Sequence, residues 1–204
     1  TYGGSATTQD VAITAGCNLA FVAAMMLVAK AGDAVLLPSP WYFNHQMTLA
    51  MLGVEPRPLP CRPQARFVPD PEEAERLLDE RVRAIVLVTP NNPTGAVYPP
   101  HLIAAFAALC RRRGLRLVVD ETYRDFLPEG LRRAHDLFAD EGWRDAVVQL
   151  YSFSKAYALP GHRAGAILAD AAVLGEIRKI LDCLQICAPR VAQGALAWAI
   201  EGLR

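Results

Sequence analysis

Short apolar runs rich in Val, Ile and Leu alternate with longer helical stretches along the chain. Seven of these runs predict strands: Val11–Thr14, Ala34–Pro38, Val54–Leu59, Ala84–Thr89, Leu115–Asp120, Ala146–Tyr151 and Ala164–Leu168. Ala84-Ile85-Val86-Leu87-Val88 shows no polar alternation, the pattern of a parallel strand covered on both faces. Leu115-Arg116-Leu117-Val118-Val119 reads the same way. Helices are expected over Asn18–Ala31, Phe43–Leu52, Pro71–Leu78, Pro100–Arg113, Ala171–Ile180 and Val191–Ile200. Pro100–Arg113 is the clearest, with prolines at its start, three arginines in its last turn and Gly114 as its C-cap. No internal repeat or linker interrupts the pattern.

Such alternation predicts one α/β domain, three layers deep (α/β/α), around a mostly parallel seven-stranded sheet. Ligands of these sheets bind outside the carboxyl ends of the strands. The segments expected there are Gly16-Cys17-Asn18, Pro40-Trp41-Tyr42, Asn91-Asn92-Pro93-Thr94-Gly95, Asp120-Glu121-Thr122-Tyr123 and Ser152-Phe153-Ser154-Lys155. Polar and aromatic residues therefore gather at one sheet edge.

Composition narrows the partners. With 52% apolar and 21% charged residues in 204, the chain is ordinary globular material for one domain or two small ones. A net charge of +0 argues against nucleic acid or an acidic membrane surface as partner. Five cysteines at irregular spacing, Cys17, Cys61, Cys110, Cys183 and Cys187, read neither as a disulfide framework nor as a zinc site, and a reducing cytoplasm fits them. Cys183 and Cys187 are expected on one helical face as buried thiols. No apolar run approaches the roughly 20 residues of a membrane span. The two ends are abrupt, as cuts through a longer protein would be.

Lysine is scarce: Lys30, Lys155 and Lys179 are the whole set. A solvated surface position is the ordinary reading of any lysine, but the neighbours of Lys155 favour an amine held at the sheet edge to form an imine with an aldehyde. Ser152, one helical turn before it, and Arg163, among small residues, suit an anion such as a phosphate. Asp120 ends an apolar strand, where a carboxylate needs a cationic or hydrogen-bonding partner, unless it merely caps the next turn. Tyr123 reaches the same space from another side. Asn91-Asn92 is either turn chemistry or an amide facing the ligand. The turn Gly16-Cys17-Asn18 can turn backbone N–H groups toward a phosphate. Tyr42, within Trp41-Tyr42-Phe43, is core or a ring stacked on a flat ligand.

Taken together, these segments resemble the class I/II aminotransferases, fold-type I enzymes of pyridoxal 5'-phosphate (PLP). The matching motifs are Ile13-Thr14-Ala15-Gly16-Cys17-Asn18, Pro38-Ser39-Pro40-Trp41-Tyr42, Asn91-Asn92-Pro93-Thr94-Gly95, Asp120-Glu121-Thr122-Tyr123, Ser152-Phe153-Ser154-Lys155 and Gly161-His162-Arg163, in the family's order. The resemblance implies that Lys155 carries PLP as a Schiff base and then shuttles the substrate proton. It implies that Asp120 keeps the pyridine nitrogen protonated, that Asn92 and Tyr123 bind the ring's O3′, and that Tyr42 stacks on the ring. Gly16, Cys17 and Asn18, through their backbone, would hold the phosphate with Ser152 and Arg163. His45 would stand behind Asp120, or be an ordinary polar helix residue.

The same resemblance implies that residues 1–204 are a PLP-binding large domain, incomplete at both ends and inactive alone. The expected activity moves an amino group between an amino acid and a 2-oxo acid, in a cytoplasmic homodimer. A PLP-dependent C–S β-lyase and a non-catalytic PLP-binding sensor module are the alternatives. In this family, an arginine of the small domain binds the substrate carboxylate and a tyrosine of the partner subunit touches the phosphate. Both lie beyond the matching stretch.

Overall fold

The doubly apolar runs in the middle of the chain need cover on both faces, and they take the centre of one seven-stranded sheet in the computed structural model, which describes residues 2–139 and 141–202. The strands are β1 (Val11–Thr14), β2 (Ala34–Ser39), β3 (Glu55–Pro60), β4 (Val82–Val88), β5 (Arg116–Asp120), β6 (Val147–Ser152) and β7 (Gly165–Leu168). Their spatial order is β1-β7-β6-β5-β4-β2-β3. Only β7 breaks the parallel run, pairing antiparallel with both β1 and β6. The helices are α1 (Cys17–Val28), α2 (Phe43–Met51), α3 (Pro71–Arg76), α4 (Pro100–Arg113), α5 (Ala171–Leu184) and α6 (Arg190–Gly202).

Side chains alternate across each strand, so the sheet carries a separate core on either face. On one face Val86, Val118 and Val148 meet Phe21 and Met25 of α1, Leu49 of α2 and Ile177 of α5. On the other, Ile85, Leu87, Leu117 and Val119 meet Ile103, Phe106 and Leu109 of α4, with Phe138 and Trp143. The three expected layers follow.

β3 shows how sequence selects position. Pro56, Pro58 and Pro60 occupy alternate sites of this edge strand, while Glu55 and Cys61 donate their N–H groups across to Asp33 and Ser39. The prolines thus fall where an N–H would face outward, as only an edge strand tolerates.

Registers decide where the site forms. Val88 pairs with Asp120, Asp120 with Leu150, Ser152 with Gly165, and Gly165 with Thr14. The ends of β1, β4, β5 and β6 and the start of β7 therefore share one edge.

Several expected boundaries move. α1 stops at Val28 rather than Ala31, because Ala29 turns extended and Lys30 donates its N–H to the Asp33 carboxylate at 3.0 Å. α5 runs on to Leu184, since Leu181 still finds cover in the core. Cys183 and Cys187 are both exposed, against the buried pair expected on one helical face. Only Cys183 lies in α5; the chain then leaves the helix and passes through Ile186 at φ 61°. Among the described residues, no helix is long and apolar enough to cross a membrane.

Candidate active site

Asp120, the last residue of β5, is 3% exposed at the base of a cavity of about 380 Å³. Its Oδ1 accepts hydrogen bonds from the Thr122 backbone N–H at 2.9 Å and the Thr122 hydroxyl at 2.7 Å. Its Oδ2 lies 3.1 Å from Nε2 of His45, on the first turn of α2. The His45 ring is fixed by stacking on Phe21, with centroids 3.9 Å apart, and by the edge of Tyr42. Burial pushes the Asp120 carboxyl up, but the hydrogen bonds from His45 and Thr122 outweigh it and hold the group below its ordinary value. A buried, ionised carboxylate thus faces the cavity.

Beside it, β1 leads into α1 through Gly16, which sits at φ 92° and ψ 162°. Gly16 caps α1 without a side chain, so the first N–H groups of the helix have neither an intrahelical acceptor nor a side-chain cap. A Cβ on Gly16 would come within 2.2 Å of the Arg163 guanidinium. Gly16 donates its own N–H to Thr14 O at 2.8 Å, so its expected backbone contact with an anion is not available. What it gives the cavity is room for Arg163 and a free start for Cys17 and Asn18.

Arg163 follows the short turn Pro160–His162 at φ 49°, and its Nη1 donates to Pro160 O at 2.7 Å. Ser152, buried at the end of β6, accepts a hydrogen bond from the Ser154 N–H. The α1 N-terminus, Ser152 and Arg163 converge in the geometry of an anion site.

Lys155 is exposed on the turn that follows β6, with Nζ 5.9 Å from the centroid of the Tyr123 ring. Residues 153–157 form turns rather than the helix that the spacing of Ser152 and Lys155 had implied. Asn91 and Asn92 divide the two readings of their segment. The Asn91 Oδ1 accepts from the Thr94 N–H and hydroxyl and closes the turn, whereas Asn92 lines the cavity. Cys17, Asn18, Tyr42, Tyr123, Ser152, Lys155 and Arg163 line it as well. Burial, then the nearby Asp120, pushes the Tyr42 phenol up.

Phe43, Thr122 and Ser154, which lie in the segments singled out in the sequence but carry no assigned role there, also line the cavity, and so do Val88 and Pro160, which sequence reasoning missed. Glu121 of the Asp120–Tyr123 segment does not line the cavity; it is fully buried on the opposite side of the sheet. The Glu121 carboxylate accepts from the Tyr2 hydroxyl at 2.5 Å and from Gln149 Nε2, and lies 3.2 Å from His135 Nε2. That cluster ties the chain start and the 122–139 loop to the strand that carries Asp120.

The chain is 36% identical over 187 residues to a valine–pyruvate aminotransferase of Mycobacterium tuberculosis, covering 90% of this chain and 46% of that protein. An aromatic aminotransferase of Arabidopsis thaliana is 34% identical over 201 residues, 96% of this chain and 50% of its own length. The chain spans about half the length of the curated relatives it matches. Among solved structures, the aspartate aminotransferase of Thermus thermophilus with maleate superimposes with a TM-score of 0.87 at 28% identity, over 97% of this chain and 50% of that one. A methionine aminotransferase of Escherichia coli gives 0.89 at 28% identity, over 98% and 53%. The fold is thus that of these PLP enzymes, and since the family model for aminotransferase class I and II matches residues 2–202, this chain belongs to that family.

Proposed function

We propose that this chain is the cofactor-binding large domain of a PLP-dependent aminotransferase that moves an amino group between an amino acid and a 2-oxo acid. One observation carries the reading. An exposed lysine, a buried ionised carboxylate and an uncapped helix N-terminus beside an arginine share one cavity. A ligand with an aldehyde, a basic ring nitrogen and a phosphate answers all three.

The residues fit that ligand in size and charge. About 380 Å³ lies within the range of small-molecule sites, roughly 300–1,000 Å³. The missing Cβ of Gly16 leaves room for the Arg163 guanidinium at the α1 N-terminus, and the missing Cβ of Gly165 lets β7 pack against the Gly16–Cys17 backbone. When bound, PLP supplies an aldehyde carbon that combines with amines and a ring that withdraws electrons from it.

The protein groups then divide the work. Lys155 Nζ would hold the aldehyde carbon, with loss of water, and its amine, once the substrate amine has taken that place, would carry the proton from the substrate Cα to the former aldehyde carbon. Asp120, ionised against His45, keeps a proton on the ring nitrogen. Asn92 and Tyr123, which line the cavity, would bind the ring hydroxyl, and Tyr42 would supply an aromatic surface for the ring. The N–H groups of Cys17 and Asn18, with Ser152 and Arg163, hold the phosphate.

A homodimer in the reducing cytoplasm suits the surface and the cysteines. Phe43, Met47 and Met51 lie one turn apart along α2, 62%, 60% and 72% exposed, and form an apolar stripe that starts at the cavity wall. Cys17, Cys61 and Cys110 are buried free thiols. The test is borohydride reduction of the PLP-loaded full-length protein followed by peptide mapping. The pyridoxyl group is expected on Lys155; labelling of Lys30 or Lys179 instead overturns the assignment.

A further inference from the structure

A carboxylate has about four acceptor positions, two on each oxygen. At Asp120 the Thr122 N–H and hydroxyl take both positions on Oδ1, at 2.9 and 2.7 Å. The Cys17 thiol, 3.7 Å from the Thr122 hydroxyl, donates a long, weak hydrogen bond to the same Oδ1 at 3.9 Å and closes that side. His45 takes one position on Oδ2 at 3.1 Å. One position is left, on Oδ2, for a donor in the cavity.

We propose that Thr122 is a positioning residue: its hydroxyl locks Oδ1 so that Asp120 offers Oδ2, ionised, to the cofactor ring. The inference rests on reading the cavity as a PLP site. Two hydrogen bonds from one residue two positions along the chain also fix the carboxylate torsion, so the free lone pair has a single direction. Donors to the charged form favour it, and losing one raises the pH at which the carboxyl takes up a proton. A protonated Asp120 cannot pair with a ring N–H.

The other titratable groups around Asp120 are Cys17 of α1, Tyr42 and His45 at the start of α2, and Tyr123, Lys155 and Arg163 across the cavity. All are common to the variants that test the idea, so differences between those variants report Thr122 alone.

The experiment measures PLP affinity against pH, by absorbance titration of the full-length protein, for wild type, Thr122→Val, Thr122→Ser and Thr122→Ala. Valine keeps the shape and loses the hydroxyl; serine keeps the hydroxyl and loses the methyl. The acid limb of Thr122→Val is expected to move up by about one pH unit, which is about tenfold weaker binding at a pH on that limb. Thr122→Ala should follow valine, and Thr122→Ser should follow wild type. Acid limbs of the valine and alanine variants that overlay wild type overturn the proposal, as does a serine variant shifted as far as valine. A wild-type protein that takes up no PLP sinks the functional reading itself, and this inference with it.

Discussion

Gly165, the first residue of β7, sits so close to Cys17 that a Cβ at position 165 would stand 2.7 Å from the Cys17 backbone nitrogen and 2.7 Å from the Gly16 carbonyl carbon. Both neighbours are backbone, at the start of the helix whose N–H groups face the cavity. Gly165→Ala must therefore push the α1 N-terminus away from the sheet. Overpacking of this kind costs about 1–3 kcal/mol. The variant is expected to melt lower and to bind both PLP and inorganic phosphate at least about tenfold more weakly, since displaced donors lose an anion sharply. Gly175→Ala, in α5 with nothing within 4 Å of the new Cβ, is the control and should stabilise by about 0.5–1 kcal/mol. Equal melting and binding for the two variants would refute the steric account.

Asp120 acts on electronics in this reading, not on the fold. In the full-length protein, Asp120→Ala at saturating PLP should still carry the cofactor but cut transamination by about 10²-fold or more, because an unprotonated ring is a poor electron sink. Near wild-type turnover would remove the role assigned to this carboxylate.

The architecture was legible because periodicity reports burial directly. β4 and β5 read as buried strands from apolar runs alone, and α4 ended where Gly114 predicted, at φ 65°. The site was legible because its residues follow strands locally and matched the order of known motifs. Long-range pairing was not. Tyr2 and Glu121 stand 119 positions apart, and nothing near either announces the hydrogen bond between them. Among the described residues between Glu121 and Ala146, the regular structure is the short 3₁₀ turns Arg124–Phe126, Leu137–Ala139 and Glu141–Asp145, with no hydrophobic period to announce them. Thr122 is different: its bonds to Asp120 are two residues long, and Asp-x-Thr is a pattern that local turn chemistry explains once the carboxylate is known to be buried.

Asp10 gives a pH dependence with a definite sign. The hydrogen bond from Arg144 at 2.7 Å outweighs the cost of burial and, with the Thr7 N–H and hydroxyl, holds the Asp10 carboxyl below its ordinary value of 3.8. A group depressed in the folded state contributes stability that is fully present above its unfolded pKa and lost as the pH falls through the folded one. Asp10→Asn should therefore lower the melting temperature at pH 7 and flatten its decline below about pH 4. Melting curves between pH 7 and pH 3 decide this. Parallel declines in variant and wild type would mean that Asp10 is not the group responsible.

Residues 1–204 expressed alone provide the last test. Every PLP contact assigned here lies within this chain, yet Lys155 and Arg163 are exposed at the mouth of the cavity and the Phe43/Met47/Met51 stripe has no cover. An open site leaves the charged groups in water, where each attraction to a ligand is weakened several-fold relative to an enclosed site. The uncovered stripe favours association with other molecules. The family resemblance also assigns the substrate carboxylate to an arginine beyond the matching stretch. The 204-residue chain is therefore expected to take up PLP weakly, to self-associate and to show no transamination. Sedimentation, PLP absorbance and an assay with a panel of amino acids measure the three together. Replacing Met47 and Met51 by Gln should reduce the self-association without changing PLP uptake, since neither residue lines the cavity. Robust turnover by the isolated chain would show that these residues need neither a partner nor further sequence to complete the site.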